Sequence, residues 1–184
     1  NMEKSPKNYD VLIIGAGPAG ANAAISYKNL NPNLTVALVD KAIFPRDKSC
    51  GDAIGPGVIS ALKRFNNEHI LDGEPQVVST TLYGPDNIGI QNYIPEVKNK
   101  EDSIVYVIPR VDLDNRILDL AKDCGVDVYE GFSFVDFTSN LDKSLNVQIK
   151  NENENLEFLT KILVGADGAN SRIRKKLNYK SNSD

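Results

Sequence analysis

Residues 9–20 read Tyr9-Asp10-Val11-Leu12-Ile13-Ile14-Gly15-Ala16-Gly17-Pro18-Ala19-Gly20, an apolar run that stops at a glycine-rich hexapeptide. Tyr9 to Ile14 suits a short buried parallel strand. Ala19 to Leu30 has the composition of a helix, and Asn31-Pro32-Asn33 stops it. Leu34 to Val39 is a second apolar, partly β-branched strand ending at Asp40, 40 − 20 = 20 residues after Gly20. Strand, helix and strand in so short a span require parallel strands joined by a right-handed crossover. A G-x-G-x-x-G run between strand and helix, with an acid closing the second strand, is the dinucleotide-binding arrangement. Gly15 permits the tight turn, Gly17 lets the backbone approach a pyrophosphate, and Gly20 lets the helix pack against the strand. Gly15, Gly17, Pro18, Ala19 and Gly20, with Asp40 and the adjoining Lys41, are therefore the candidate cofactor residues. The helix start attracts phosphate charge, and Asp40 can accept hydrogen bonds from both ribose hydroxyls. The acid disfavours a 2′-phosphate, hence NADP. The pattern does not separate FAD from NAD, and a glycine turn without ligand is the alternative reading.

Beyond this unit, Lys41 to Gly57 reads as a long ordered loop and Val58 to Phe65 as a helix. Gln76 to Tyr83 and Ile88 to Tyr93 read as strands around Gly84-Pro85-Asp86-Asn87. Glu96 to Ser103 is a charged loop and Ile104 to Ile108 a strand. Asp112 to Cys124 carries a helical apolar stripe closed by Gly125. Val126 to Tyr129, Phe132 to Thr138 and Leu145 to Lys150 are strands, and Asn151 to Asn155 is a hairpin turn. Ile162 to Val164 is a short strand entering Gly165. Ala169 to Leu177 is a basic helix, and Asn178 to Asp184 a frayed tail.

The composition excludes several functions. Lys and Arg number 21 against 25 Asp and Glu, a net charge of −4, which leaves no electrostatic footprint for nucleic acid. Two cysteines, Cys50 and Cys124, and one histidine, His69, supply neither a metal-binding spacing nor a disulfide framework. A reducing, cytoplasmic compartment and no metal are expected. Val11 to Ile25 is broken by glycines and proline, so it reads as strand, turn and helix rather than a targeting segment.

A second glycine segment, Gly165-Ala166-Asp167-Gly168-Ala169-Asn170-Ser171 with Arg174, opens the last helix. Taken alone it reads either as a cofactor loop or as a plain capping motif. Together with the first turn it resembles the group A flavoprotein fold of aromatic hydroxylases and geranylgeranyl reductases. Phe44-Pro45-Arg46-Asp47-Lys48-Ser49-Cys50-Gly51-Asp52 is similar to the F-P-R-x-K-x-C-G-D stretch of the geranylgeranyl reductase-like branch. Pro109-Arg110, with Asp114 and Leu118, resembles that fold's third signature.

The resemblance implies an α/β, Rossmann-like three-layer fold that binds FAD or NAD(P), with the start of a β-rich substrate domain inserted. Residues 7–75 would be the first cofactor segment, 76–108 the first substrate-domain strands, and 109–180 the second cofactor segment. Gly15, Gly17, Gly20 and Asp40 would hold the ADP half of FAD. Arg110 would lie near the flavin phosphates or ribityl chain, and Asp167 and Gly168 would support the cofactor side. Cys50, Gly51 and Asp52 would form the catalytic loop facing the isoalloxazine. Local alternatives stand beside these roles. Cys50 also reads as a small packed side chain in a tight turn, Arg110 as an ion-pair partner of Asp112 or Asp114, and Arg46 and Lys48 as solvated loop charges.

The implied activity is an FAD-dependent oxidoreductase of the geranylgeranyl reductase type, with NAD(P)H as candidate electron donor and a small molecule or prenyl lipid as substrate. A lipid substrate would bring peripheral membrane contact. The alternatives are a flavin monooxygenase or halogenase, and a non-catalytic nucleotide-binding fragment that needs a partner chain. Members of that family are longer, so most of the substrate domain and a further flavin-binding segment are expected to lie in a missing C-terminal half or in a partner.

Overall fold

The computed structural model of the chain describes residues 5–93 and 105–177. In chain order the elements are β1 (Lys7–Ile14), α1 (Pro18–Leu30), β2 (Val36–Asp40), β3 (Ala53–Ile54), α2 (Pro56–Lys63), a 3-10 turn (Glu68–Leu71), β4 (Ser79–Tyr83), β5 (Gly89–Tyr93), β6 (Tyr106–Val107), α3 (Arg110–Asp123), β7 (Asp127–Glu130), β8 (Ser133–Ser139), β9 (Leu145–Lys150), β10 (Asn155–Gly165) and α4 (Arg172–Lys176). They divide into two compact units, residues 1–46 with 114–184, and residues 47–113.

The first unit is built on a six-stranded sheet in the order β7-β2-β1-β10-β9-β8. β7, β2, β1 and β10 run parallel, with Val11 opposite Val36 and Ile162, and Ile14 opposite Val39 and Gly165. β9 and β8 complete it antiparallel. Side chains alternate across a strand, and Val11 to Ile14 and Val36 to Val39 are all buried, so both sheet faces are covered. α1 packs on β1 and β2 through Ala21, Ala24 and Ile25. Leu12, Ile14, Ala37 and Val39 join Phe134, Val147, Ile149, Phe158 and Ile173 in a core cluster. Apolar burial of this kind contributes about 25 cal/mol per Å².

The second unit pairs β3 with β6, Ala53 opposite Val107, and holds the β4–β5 hairpin with Leu82 opposite Ile90. Ile54, Ile59, Leu62, Ile70, Leu71, Ile108 and Leu113 are its buried apolar residues.

The β-α-β order and the parallel pairing of the first two strands agree with the sequence reading. Several elements differ: β3 and the start of α2 lie within the stretch Lys41 to Gly57 that reads as a loop, α2 ends at Lys63 rather than Phe65, and a 3-10 turn follows at Glu68–Leu71. β10 runs for 11 residues rather than the three of Ile162 to Val164, because its first half pairs with β9 before its second half lies beside β1 alone. The last helix starts at Arg172, not Ala169, because Ser171 caps it by accepting the Arg174 N–H at 3.0 Å. α3 starts two residues early, where the Asp52 carboxylate accepts the Arg110 N–H at 3.1 Å. The charged loop at Glu96 to Ser103 and the tail from Asn178 lie outside the described residues, as does Ile104.

Candidate functional site

The three glycines of the first turn do different work. Gly15 has φ +105°, and a β-carbon on it would stand 2.2 Å from the Ala166 carbonyl oxygen. One on Gly20 would stand 1.7 Å from the Gly15 carbonyl oxygen. Both glycines are demanded by the backbone itself, and through Ala166 the two glycine segments of the sequence meet. At Gly17 the nearest atom is the end of a side chain, Arg46 Nη2 at 3.3 Å.

Gly17 is also the N-cap of α1 and supplies no side-chain cap, while Pro18 at the first helical position has no N–H to lose. Ala19 beside it is exposed. The first-turn amides of a 13-residue helix are thus presented without a side-chain acceptor, with the positive end of the dipole behind them.

Asp40 closes the turn from β2. Its Oδ2 accepts the Ala16 N–H at 2.7 Å and its Oδ1 the Ala42 N–H at 2.8 Å. A carboxylate has about four lone-pair sites, so further acceptor capacity remains for hydroxyl donors. Lys41 is exposed. The following loop is tied down where Glu130 accepts the Phe44 N–H at 2.8 Å and Ala42 accepts the Gly131 N–H at 3.2 Å.

That anchoring delivers Arg46, which the sequence alone presents as a solvated loop charge. Its guanidinium lies 4.8 Å from the Phe44 ring centroid, and Nη1 is 3.5 Å from Asp114 Oδ2. Asp114 is 1% exposed. The sequence carries a signal for the Asp114 half of this pair, though not for which cation it meets. Asp114 sits three and four residues before Ile117 and Leu118, on the apolar stripe of α3, where a carboxylate must find a cation.

The two oxygens of Asp167 differ in their surroundings. Oδ2 accepts the Arg172 N–H at 2.7 Å, which is capping. Oδ1 is buried and has no partner among the described residues. Gly168 beside it has φ +83° and open space where a β-carbon would stand.

In the second unit, Cys50, Gly51, Asp52 and Arg110 form one cluster. Asp52 has φ +54°, its carbonyl accepts the Ile108 N–H at 3.0 Å, and its carboxylate holds Arg110. Cys50 is exposed, not packed. The Asp52 backbone N–H, and then the Arg110 guanidinium, favour the thiolate and draw the Cys50 pKa below its ordinary value. Open space surrounds Gly51. Among the described residues no group of three or more His, Cys, Asp or Glu could hold a metal ion, and no helix is long and apolar enough to cross a membrane.

Comparison with known proteins fits this arrangement. The chain is 30% identical to a menaquinone reductase of Mycolicibacterium smegmatis over 91% of its own length and 39% of the relative's. It is 29% identical to a geranylgeranyl diphosphate reductase of Rhodobacter capsulatus, over 92% and 40% respectively. It therefore spans well under half the length of these curated relatives. A crystal structure of p-nitrophenol 4-monooxygenase from Pseudomonas putida superposes with a TM-score of 0.81 at 14% identity, covering 93% of this chain and 44% of that one, a likeness of fold. The family model described as FAD binding domain matches residues 8–184, which takes in both glycine segments and the turn-and-acid geometry between them, and the chain belongs to that family.

Proposed function

We propose that this chain is the FAD-holding part of an FAD-dependent oxidoreductase of the geranylgeranyl reductase type, acting on a prenyl double bond. The observation that carries the cofactor assignment is the first turn. Uncapped helix amides, an acid at the end of β2 and a guanidinium at Gly17 converge there, as a nucleotide diphosphate requires. The orphaned Asp167 Oδ1 is a second sign that a polar group belongs nearby, since buried acceptors rarely stay unpaired.

Gly17, Pro18, Ala19 and Gly20 would cradle the pyrophosphate, Asp40 would orient the ribose, and Asp167 with Gly168 would accept a donor from the ligand. When bound and reduced, the flavin supplies a hydride equivalent. Cys50 Sγ would hold the proton that completes a double-bond reduction, with Arg110 and the Asp52 N–H tuning its release. The relatives named for menaquinone and geranylgeranyl diphosphate support this reading over oxygen chemistry.

Visible absorption after FAD addition and gel filtration tests the first half. Retained flavin bands are expected, and their loss would remove the cofactor assignment. Reoxidation of the reduced flavoprotein by geranylgeranyl diphosphate under anaerobic conditions tests the second. Cys50→Ala should slow it by about a hundredfold, the scale of a lost proton donor. An unchanged rate would remove Cys50 from the chemistry.

A further inference from the structure

Resting on that cofactor reading, we infer that Asp114 is a positioning residue: its buried carboxylate holds the Arg46 guanidinium at Gly17, where the ligand's diphosphate would lie. Two contacts fix the guanidinium, and they set it beside Gly17. The Phe44 ring lies beneath it at 4.8 Å, Asp114 Oδ2 takes Nη1 at 3.5 Å, and Nη2 stands 3.3 Å from the β-carbon position of Gly17. The Arg46 side chain is only 20% exposed and that of Asp114 is fully buried. One edge of the guanidinium fork is therefore occupied by the carboxylate, and the other is turned to the phosphate-binding turn.

The sign of Asp114's effect decides its role. A buried anion near a diphosphate repels it, and repulsion alone would make Asp114 unfavourable for binding. Asp114 instead helps binding because a flexible cation is ordered before the ligand arrives. Removing the negative charge then weakens binding of the diphosphate, the reverse of the direct Coulomb effect.

The test compares ADP with adenosine on the purified full chain by titration calorimetry. Asp114→Asn keeps the shape and removes the charge. It should lower ADP affinity by about tenfold, the scale of one lost charge-assisted contact, and leave adenosine affinity unchanged. A purely structural role would weaken both ligands alike. In an Arg46→Met background, Asp114→Asn should no longer lower ADP affinity.

Circular dichroism checks the fold of each variant. Should Asp114→Asn not fold, Asp114→Glu, which keeps the charge but displaces it by one methylene, should lower ADP affinity severalfold on the same grounds. ADP affinity that is unchanged or raised in the folded variant overturns the positioning role while FAD binding by the unmutated chain stands. Failure of the unmutated chain to bind either FAD or ADP overturns both.

Discussion

Gly17 and Gly20 lie three residues apart, and a methyl group added to each meets opposite fates. At Gly20 it would enter the Gly15 carbonyl, 1.7 Å away, and no side-chain movement relieves a backbone clash. Gly20→Ala should cost about 3 kcal/mol or more, in the range of severe backbone and overpacking lesions, and chemical denaturation measures it. At Gly17 the obstacle is the tip of Arg46 at 3.3 Å, which can give. Gly17→Ala should leave the melting temperature nearly unchanged and weaken FAD about tenfold or more by blocking the approach of the pyrophosphate. Equal loss of stability in both variants would contradict this division.

The roles of Gly15 and Gly20 are legible from the strand–turn–helix context. That of Arg46 is not, because its partner Asp114 is 68 residues away along the chain and only the fold brings them together. Cys50 offers a further residue-scale outcome. Arg110 favours its thiolate, so Arg110→Met should move the pH midpoint of iodoacetamide alkylation upward, while the Asp52 N–H retains part of the effect. An unmoved midpoint would leave Arg110 with no part in the cluster.

Among the elements, β10 is the one whose length depends most on its neighbours. Residues 155–160 alternate against β9, and residues beyond Thr160 pair only with β1. The sequence shows Ile162 to Val164 as an apolar triplet, whereas Glu157, Thr160 and Lys161 disguise the residues before it as loop. Lys161 has a task there. Its ammonium meets Asp10 of β1 at 2.9 Å, and the same carboxylate accepts the Thr35 N–H at 3.0 Å and hydroxyl at 2.9 Å, joining β10, β1 and the entry to β2.

Lys161 first, then the Thr35 donors, lower the Asp10 pKa to about 2. A carboxylate depressed in the folded state stabilises the fold above its unfolded pKa of about 3.9, and that contribution fades as pH falls toward the folded value. The stability difference between the unmutated chain and Asp10→Asn should thus be fully present at pH 5 and nearly absent at pH 2. Urea midpoints across that window read it, and a pH-independent difference would assign the effect to packing instead.

At the scale of the whole molecule, the first unit is assembled from two separated stretches, residues 1–46 and 114–184. The β-α-β start and the later glycine segment are each legible alone. Their union is visible only where Gly15 touches Ala166 and where β10 enters the sheet beside β1. A ligand that bridges both stretches binds only the folded chain, so it should raise thermal stability by mass action, by about 2.7 kcal/mol at a hundred times its dissociation constant.

The ligand's chemistry then reports which half of FAD these residues hold. Amides, Asp40 and Arg46 gather at one turn and suit the ADP half, so ADP should reproduce most of the shift given by FAD when both are supplied at the same concentration. FMN, which lacks the adenosine and one of the two phosphates, should give little. Melting curves with FAD, ADP and FMN at matched multiples of FAD's dissociation constant distinguish the cases. A shift from FMN equal to that from FAD, with none from ADP, would move the binding energy away from the glycine turn and onto residues that hold the flavin ring.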